Sequence, residues 1–280
     1  MQWEDKLVFE ILDKRILAPN IVLMKVKAPL ITKKAMPGQF IMLRVSEEGE
    51  RIPLTIADYD RQEDSISIIF QEVGFTTRDL GNLEAGDYIR DFAGPLGRGS
   101  NLEGLNKVLC VGGGVGIAPL YPQIKFLGEQ GSYVDVVIGA RSSDYVILQD
   151  EIKNYAANTY ITTDDGSLGH KGFVTDIVKE LIDRGNQYDS VIAVGPLPMM
   201  KAVCDITKKY NIPTTVSMNP IMVDGTGMCG GCRVTVGGKV YYACVDGPEF
   251  DGHLVDFDEA IRRQHMYKKE EQIEHDCRIK

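Results

Sequence analysis

Lys107-Val108-Leu109-Cys110-Val111-Gly112-Gly113-Gly114-Val115-Gly116-Ile117-Ala118-Pro119 decides the architecture of this chain. The run from Lys107 to Val111 has the length and apolar content of a buried strand. Glycines stop it, and a helical stretch from Ala118 to Glu129 follows. Successive glycines let the backbone approach a pyrophosphate, and the N-terminus of the following helix favours its negative charge. The fit to G-x-G-x-x-G is incomplete, because Gly112-x-Gly114 leads to Ile117 and Gly114-x-Gly116 leads to Pro119. A tight strand-to-helix turn is the plainer alternative. The place of the loop after the first strand of an alternating region favours the nucleotide reading.

Downstream the alternation continues. Strand-like Val134–Gly139 precedes a helix from Gln149 to Ala157, and Tyr160–Thr163 precedes a helix from Val174 to Arg184. Ser190–Val194 then precedes a helix from Met199 to Tyr210. Strands alternating with helices imply a parallel α/β sheet. Upstream the texture differs. Leu7–Leu12, Ile21–Val26, Phe40–Val45 and Ser65–Phe70 are short and β-rich, punctuated by Pro19, Pro29, Pro37-Gly38 and Glu48-Gly49. Such spacing implies an antiparallel barrel or sandwich, with Asp79 to Leu83 as part of a short helix and Gly94–Ser100 as a linker. Beyond about 215 the chain becomes rich in Gly and Cys, then ends in a charged, helix-like segment at roughly 258–274. The expected class is multidomain α+β: a β-barrel at 1–98, a parallel α/β domain at 99–215, a small cysteine domain at 216–258 and a tail at 259–280.

With 280 residues and 44% hydrophobic content, the chain can build two or three cored domains. A net charge of −9 argues against nucleic acid as a partner. The charged start, Met1-Gln2-Trp3-Glu4-Asp5-Lys6, does not read as a signal peptide. No stretch approaches the ~18 apolar residues of a membrane span, so a cytoplasmic protein is expected. Six cysteines are ordinary usage rather than a disulfide framework. Cys110 and Cys204 sit in core-like contexts, and Cys277 in a charged tail.

Several stretches offer polar groups to a cofactor. In Arg51-Ile52-Pro53-Leu54-Thr55, the Arg presents a fork of donors suited to a diphosphate, and Thr55 lies where it can donate to a flavin ring nitrogen. A strand with one charged end reads the same way. Gly74-Phe75-Thr76-Thr77 can cap a helix whose N-terminus meets that diphosphate, or is an ordinary cap. No acidic residue ends the second α/β strand to hold a ribose. Arg141 stands there instead, as a phosphate partner or a surface residue. Gly195-Pro196-Leu197-Pro198-Met199 and Asp164-Asp165-Gly166-Ser167 follow strands of the α/β region, where open parallel sheets bind ligands. His170 reads as a solvated loop residue.

The richest signal is Asp224-x4-Cys229-x2-Cys232-x11-Cys244. The plant-type [2Fe–2S] pattern is Cys-x4-Cys-x2-Cys with a distant fourth Cys; here a carboxylate replaces the first thiolate. Glycines 225, 227, 230 and 231 would let backbone N–H groups reach the sulfides. A zinc site of three thiolates and one carboxylate, or Asp224 as a simple turn residue, are the alternatives.

Taken in order, Arg51-x-x-x-Thr55, Gly74-x-Thr76, the Gly112–Pro119 loop, Gly195-Pro196-x-Pro198-Met199 and the cysteine cluster resemble the ferredoxin–NADP reductase superfamily. Within it the chain is similar to the branch of dihydroorotate dehydrogenase B electron-transfer subunits and small subunits of NADH-dependent ferredoxin–NADP oxidoreductases. The stretches Val223–Cys232 and Ala243–Pro248 carry the likeness to the latter; the dihydroorotate type has a cysteine where Asp224 stands. The resemblance implies a six-stranded FAD barrel, a nucleotide domain and a cluster domain. It implies FAD at Arg51, Pro53, Leu54, Thr55, Gly74, Thr76 and Thr77, with Thr55 the group nearest the chemistry. It implies NAD(H) at Gly113, Gly114, Val115, Gly116, Arg141, Asp165, Gly195, Pro196 and Met199, and a [2Fe–2S] cluster on Asp224, Cys229, Cys232 and Cys244. It also implies a large partner subunit with another flavin and [4Fe–4S] clusters, forming a heterodimer that bifurcates electrons among NAD(H), NADP(H) and ferredoxin. Many relatives carry Cys before the last Gly-Pro. Here Val194 stands there, so a thiol beside the nicotinamide is not expected.

Overall fold

The computed structural model describes residues 9–266. Its N-terminal part contains β1 (Phe9–Ala18), β2 (Ile21–Lys27), α1 (Pro29–Thr32), β3 (Phe40–Arg44), β4 (Ile52–Asp60), β5 (Ser65–Gln71), α2 (Phe75–Gly81), β6 (Tyr88–Ile89) and β7 (Asp91–Leu96). The strands form an antiparallel sheet in the order β6-β1-β2-β5-β4-β3-β7. Ile11, Met24, Val26, Ile41, Leu43, Ile56, Ile66 and Ile68 point inward and are fully buried. Register shifts at Ile11/Asp13, Phe40/Met42 and Ile56/Asp58 bend the sheet around this core, as bulges do.

Two elements differ from the sequence expectation. Gly94-Pro95-Leu96 belongs to β7 rather than to a linker; β7 is an edge strand, where a proline costs no ladder bond. Helix α2 starts earlier than Asp79, because Thr77 Oγ1 accepts the Gly74 N–H at 3.0 Å and fixes the first turn.

A second sheet follows, from β8 (Lys107–Gly113), α3 (Ile117–Glu129), β9 (Tyr133–Ala140), α4 (Gln149–Lys153), β10 (Asn158–Thr163), β11 (His170–Lys171), α5 (Val174–Asp183), β12 (Ser190–Val194), α6 (Leu197–Lys209) and β13 (Thr214–Ser217). Its order is β11-β10-β9-β8-β12-β13, all parallel. Buried Val108, Leu109, Cys110 and Val111 make β8 the central strand. The chain winds outward from β8 through β9 and β10, then returns to its other side at β12. That reversal is the topological switch point, and the loops after β8 and β12 flank the crevice it opens. Helix α6 begins at Leu197, earlier than Met199, with Pro198 in its first turn, where a proline N–H is not needed.

The last segment holds the hairpin β14 (Arg233–Val236) and β15 (Lys239–Tyr242), then β16 (Glu249–Asp251) and α7 (Phe257–Gln264). β16 adds antiparallel to β13, so the cysteine segment is sewn to the edge of the α/β sheet. Asp256 caps α7 by accepting the Glu259 N–H at 2.8 Å. The rest of the expected helix to 274, and Cys277, lie outside the described residues. Lys125 of α3 bonds Asp58 of β4 at 3.0 Å and ties barrel to sheet. Among the described residues no helix is long and apolar enough to cross a membrane.

Candidate functional site

The crevice at the switch point is a cavity of about 1110 Å³ shared by barrel and α/β sheet. That exceeds the ~300–1,000 Å³ of an ordinary small-molecule cleft. One wall is Pro53, Leu54 and Thr55 of β4, and the opposite wall is the loop Gly113–Gly116. Gly195, Pro196 and Met199 close the floor, and Pro248 reaches in from the cysteine segment.

The glycine loop fits a phosphate cradle. Gly114 has φ +55 and open space where a Cβ would stand, so its backbone is bare toward the cavity. Gly116 packs on β12, where a Cβ would come within 2.4 Å of the Val194 carbonyl oxygen. Helix α3 begins directly behind this loop and turns its N-terminal dipole on it.

Other expected residues fall on or near this wall. Thr77 lines the cavity, while Thr76 is buried within α2 and Gly74 caps that helix. Arg51 lies outside the lining, 3.7 Å from Asp91, whose carboxylate is already held by Arg44 at 2.6 Å. Arg141 lines the cavity with its guanidinium 4.5 Å from the centre of the Tyr145 ring. Asp165 turns into its own loop. It accepts from the hydroxyl and N–H of Ser167, and these bonds hold its carboxyl below the usual range. Ser167 Oγ in turn accepts from Ser143 N–H at 2.8 Å, which joins the loop after β10 to that carrying Arg141.

Among the lining residues that sequence reasoning missed, four stand out. Phe173, 68% exposed at the start of α5, lines the cavity as a flat apolar surface. Met218 and Asn219 follow β13, another strand C-terminus, and the rule that flagged Gly195 would have flagged them. Gln264 arrives from α7, and no local signal in its sequence marks it.

Asp224, Cys229 and Cys232 lie on the loop before β14, Cys244 lies in the turn after β15, and the four fall into two pairs. Cys232 and Cys244 are buried with their sulfurs 3.2 Å apart, well beyond the ~2.05 Å of a disulfide. Burial, with Cys232 alongside, pushes the Cys244 thiol up to about 12. Such a thiol ionises when a cation takes the place of its proton. Half-buried Asp224 and exposed Cys229 form the second pair. Asp224 Oδ1 accepts from Thr226 N–H at 2.7 Å and Oδ2 from Cys229 N–H at 3.0 Å. These backbone bonds, that from Thr226 foremost, hold its carboxyl below the usual range. An ionised carboxylate keeps lone pairs free for a metal while accepting both bonds. Among the described residues no three such donors converge on one point. One all-thiolate pair and one carboxylate–thiolate pair are donors of the kind that would hold an iron–sulfur cluster. Around the loop, a Cβ on Gly225 would meet Met42 of β3 at 2.6 Å, so the loop rests against the barrel. Arg263 of α7 donates to Gly231 O at 3.1 Å and covers it from the other side.

Comparison with known proteins adds two family matches. Residues 110–205 match the oxidoreductase NAD-binding domain. Residues 219–256 match the iron-sulfur cluster binding domain of dihydroorotate dehydrogenase B. A Thermotoga maritima protein described as a dihydroorotate dehydrogenase B (NAD(+)) electron transfer subunit homolog is 46% identical over 271 residues, 97% of this chain and 95% of that protein. The Fusobacterium nucleatum dihydroorotate dehydrogenase B electron transfer subunit is 35% identical, covering 84% and 92%. A solved structure of the NADH-dependent reduced ferredoxin-NADP oxidoreductase, described in connection with flavin-based electron bifurcation, superposes with a TM-score of 0.92 at 45% identity, covering 99% of this chain and 100% of that one.

Proposed function

The chain belongs to the family of dihydroorotate dehydrogenase B electron transfer subunits, and from that membership we propose that it is the electron-transfer subunit of an NADH-dependent ferredoxin–NADP oxidoreductase. The observation that carries this reading is one cavity with β4, the nucleotide loop, and Met222 and Pro248 of the cysteine segment on its walls. The chain would hold and orient FAD, NADH and a [2Fe–2S] cluster there, and those groups would supply hydride transfer and one-electron chemistry.

The residues have separate tasks. Thr55 and its neighbours Pro53 and Leu54 present the flavin ring to the crevice. Arg51, held loosely by Asp91, neutralises the flavin diphosphate, and the start of α2 at Gly74, Thr76 and Thr77 supports it. Gly113–Gly116 cradles the NAD(H) pyrophosphate, with Arg141 on its phosphate side, Asp165 ordering the loop beside it, and Gly195, Pro196 and Met199 beneath the nicotinamide. Asp224, Cys229, Cys232 and Cys244 hold the cluster. We assign 1–98 to the flavin, 99–215 to NAD(H), 216–258 to the cluster and 259–280 to a C-terminal helix and tail.

The partner is a larger subunit with a second flavin and [4Fe–4S] clusters, which exchanges electrons with ferredoxin and NADP(H). Met228 is 88% exposed beside Cys229, with Val223 on the same loop and Val245 in the adjoining turn after β15 also exposed, an apolar rim suited to a protein neighbour. Five cysteines stand free among the described residues, which suits a reducing cytoplasm. The curated relatives also support a dihydroorotate-type partner; Asp224 in place of a fourth cysteine speaks against it.

Anaerobic purification with flavin, iron and sulfide assays tests the core of this reading. One FAD, two irons and two sulfides per chain, with bleaching of the flavin by NADH, are expected. A colourless, folded chain carrying stoichiometric zinc overturns it. Copurification of a large iron–sulfur flavoprotein, or of dihydroorotate dehydrogenase, decides between the two partners.

A further inference from the structure

Glu249 lies where three parts of the molecule meet. It opens β16, directly after Pro248, which lines the cofactor cavity. Its Oε1 accepts from Ser100 Oγ at 2.8 Å and from Gln123 Nε2 at 2.8 Å. Ser100 belongs to the connection between barrel and sheet. Gln123, 1% exposed, sits on α3, whose N-terminus stands behind the nucleotide loop. One carboxyl therefore joins the cysteine segment, the interdomain connection and the pyrophosphate helix.

The cluster of groups is one donor short. Gln123 Oε1 is buried without a hydrogen-bond partner. No cation pairs with Glu249 among the described residues. On β8, the facing group is the Cys110 thiol, which burial and the Glu249 charge keep protonated. Arg98, Asp246 and Asp251 line a small polar cavity of about 280 Å³ that touches Glu249, and Arg98 is 3.5 Å from Asp246. A carboxylic acid would supply the missing donor. An amide donates N–H to a carboxylate and, turned over, accepts the O–H of the protonated form. Gln123 can thus satisfy either state of Glu249, and its orientation differs between them. Burial raises this carboxyl to about 7, against the opposing hydrogen bonds from Ser100 and Gln123.

We propose that Glu249, with Ser100 and Gln123, is a redox-linked proton site: its carboxylate binds one proton as the chain's flavin and cluster gain electrons, and releases it when they are reoxidised. The inference rests on the function proposed above. The electrons come from NADH, the proton comes from water through the small polar cavity, and no bond to a cofactor forms or breaks at Glu249. The coupling is electrostatic. Glu249 adjoins the cavity wall at Pro248, and the five residues back to Cys244 span at most ~18 Å of chain. Glu249 is half-buried, and at a partly desolvated site a charge added at that range shifts a carboxyl that has no counter-ion.

The test uses the full chain with its cofactors, in wild type and E249Q. Midpoint potentials from spectroelectrochemistry between pH 5.5 and 8.5 are expected to bend near pH 7 in wild type. E249Q should lose the bend while binding flavin and iron normally. A second readout needs no redox chemistry. The folded chain keeps this proton to higher pH than the unfolded chain. Wild type therefore loses melting temperature as pH climbs from the ordinary carboxylate range to about 7, then levels off, and E249Q should lack that decline. If E249Q does not fold, S100A removes a donor to the carboxylate and should move the bend to higher pH. A bend unchanged in E249Q, or unmoved in S100A, overturns the proposal. Failure to bind flavin and iron in wild type would instead refute the function on which it rests.

Discussion

At Gly116 a single methyl group decides whether the nucleotide loop closes on the sheet. A Cβ there would stand 2.4 Å from the Val194 carbonyl, and backbone cannot step aside as a flexible side chain does. Gly116→Ala is expected to cost about 1–3 kcal/mol, the range for overpacking, and to weaken NADH binding more than flavin binding. Thermal melts and NADH titration of the flavin absorbance check both. A variant that binds NADH normally would show that the loop does not carry the pyrophosphate. Asp224 poses a different question. Its carboxylate organises the loop through Thr226 and Cys229, a role a simple turn residue would also play. Asp224→Cys exchanges a hard donor for a softer, more strongly donating one. It is expected to keep the cluster and lower its midpoint potential. Redox titration followed by electron paramagnetic resonance gives the answer, and an unmoved potential would remove Asp224 from the ligand set.

At the scale of elements, α3 is the member on which the site depends. It opens at the nucleotide loop, bonds Glu249 through Gln123 and reaches the barrel through Lys125. Burial works against the Lys125 charge, yet the hydrogen bond and charge of Asp58 more than offset it and raise the ammonium above its usual range. Both side chains are about 30% exposed. Lys125→Met should therefore cost about 1–2 kcal/mol, between exposed and fully buried pairs. Adding Asp58→Asn should cost less than the sum of the two, because a stranded carboxylate is neutralised. Denaturant unfolding of the two singles and the double measures this, and strict additivity would mean the pair does not couple barrel to sheet. The elements themselves were largely legible. Alternation of apolar runs and amphipathic stretches placed β8, α3, β9, α4, β10, α5, β12 and α6 within a few residues, since the central strands β8, β9 and β12 are buried on both faces. The exposed two-residue β11, where His170 was expected in a loop, escaped it. β7 was hidden because Gly94 and Pro95 are turn residues by composition, and only its edge position makes them tolerable. The place of β16 was hidden for another reason. A three-residue strand has no period of its own, and its pairing with β13 is a tertiary fact. The same gap concealed Phe173 and Gln264 as cavity residues, since neither carries polar chemistry in a recognisable spacing.

The whole molecule is organised around an interface that is partly empty of protein. Barrel and α/β sheet meet along α3 and β4, yet about 1110 Å³ between them is left to ligands. Much of its wall is apolar: Phe40, Pro53, Leu54, Ile69, Val115 and Met199 all face it. Without a cofactor those surfaces lose both burial and contact, at roughly 25 cal/mol per Å² exposed. Flavin should therefore act as a structural part of the interface as well as a redox group. Removing FAD is expected to lower the melting temperature and to split one calorimetric transition into two, the barrel melting apart from the sheet. Restoring FAD should merge them again. NADH alone, added to the flavin-free chain, should raise only the transition of the α/β part, by about 2.7 kcal/mol at a hundredfold excess over its dissociation constant. Calorimetry with and without each ligand distinguishes these outcomes. A flavin-free chain that still melts in one transition at the original temperature would show that direct contacts such as Lys125–Asp58 suffice to join the two halves, and that the cavity contributes nothing to their union.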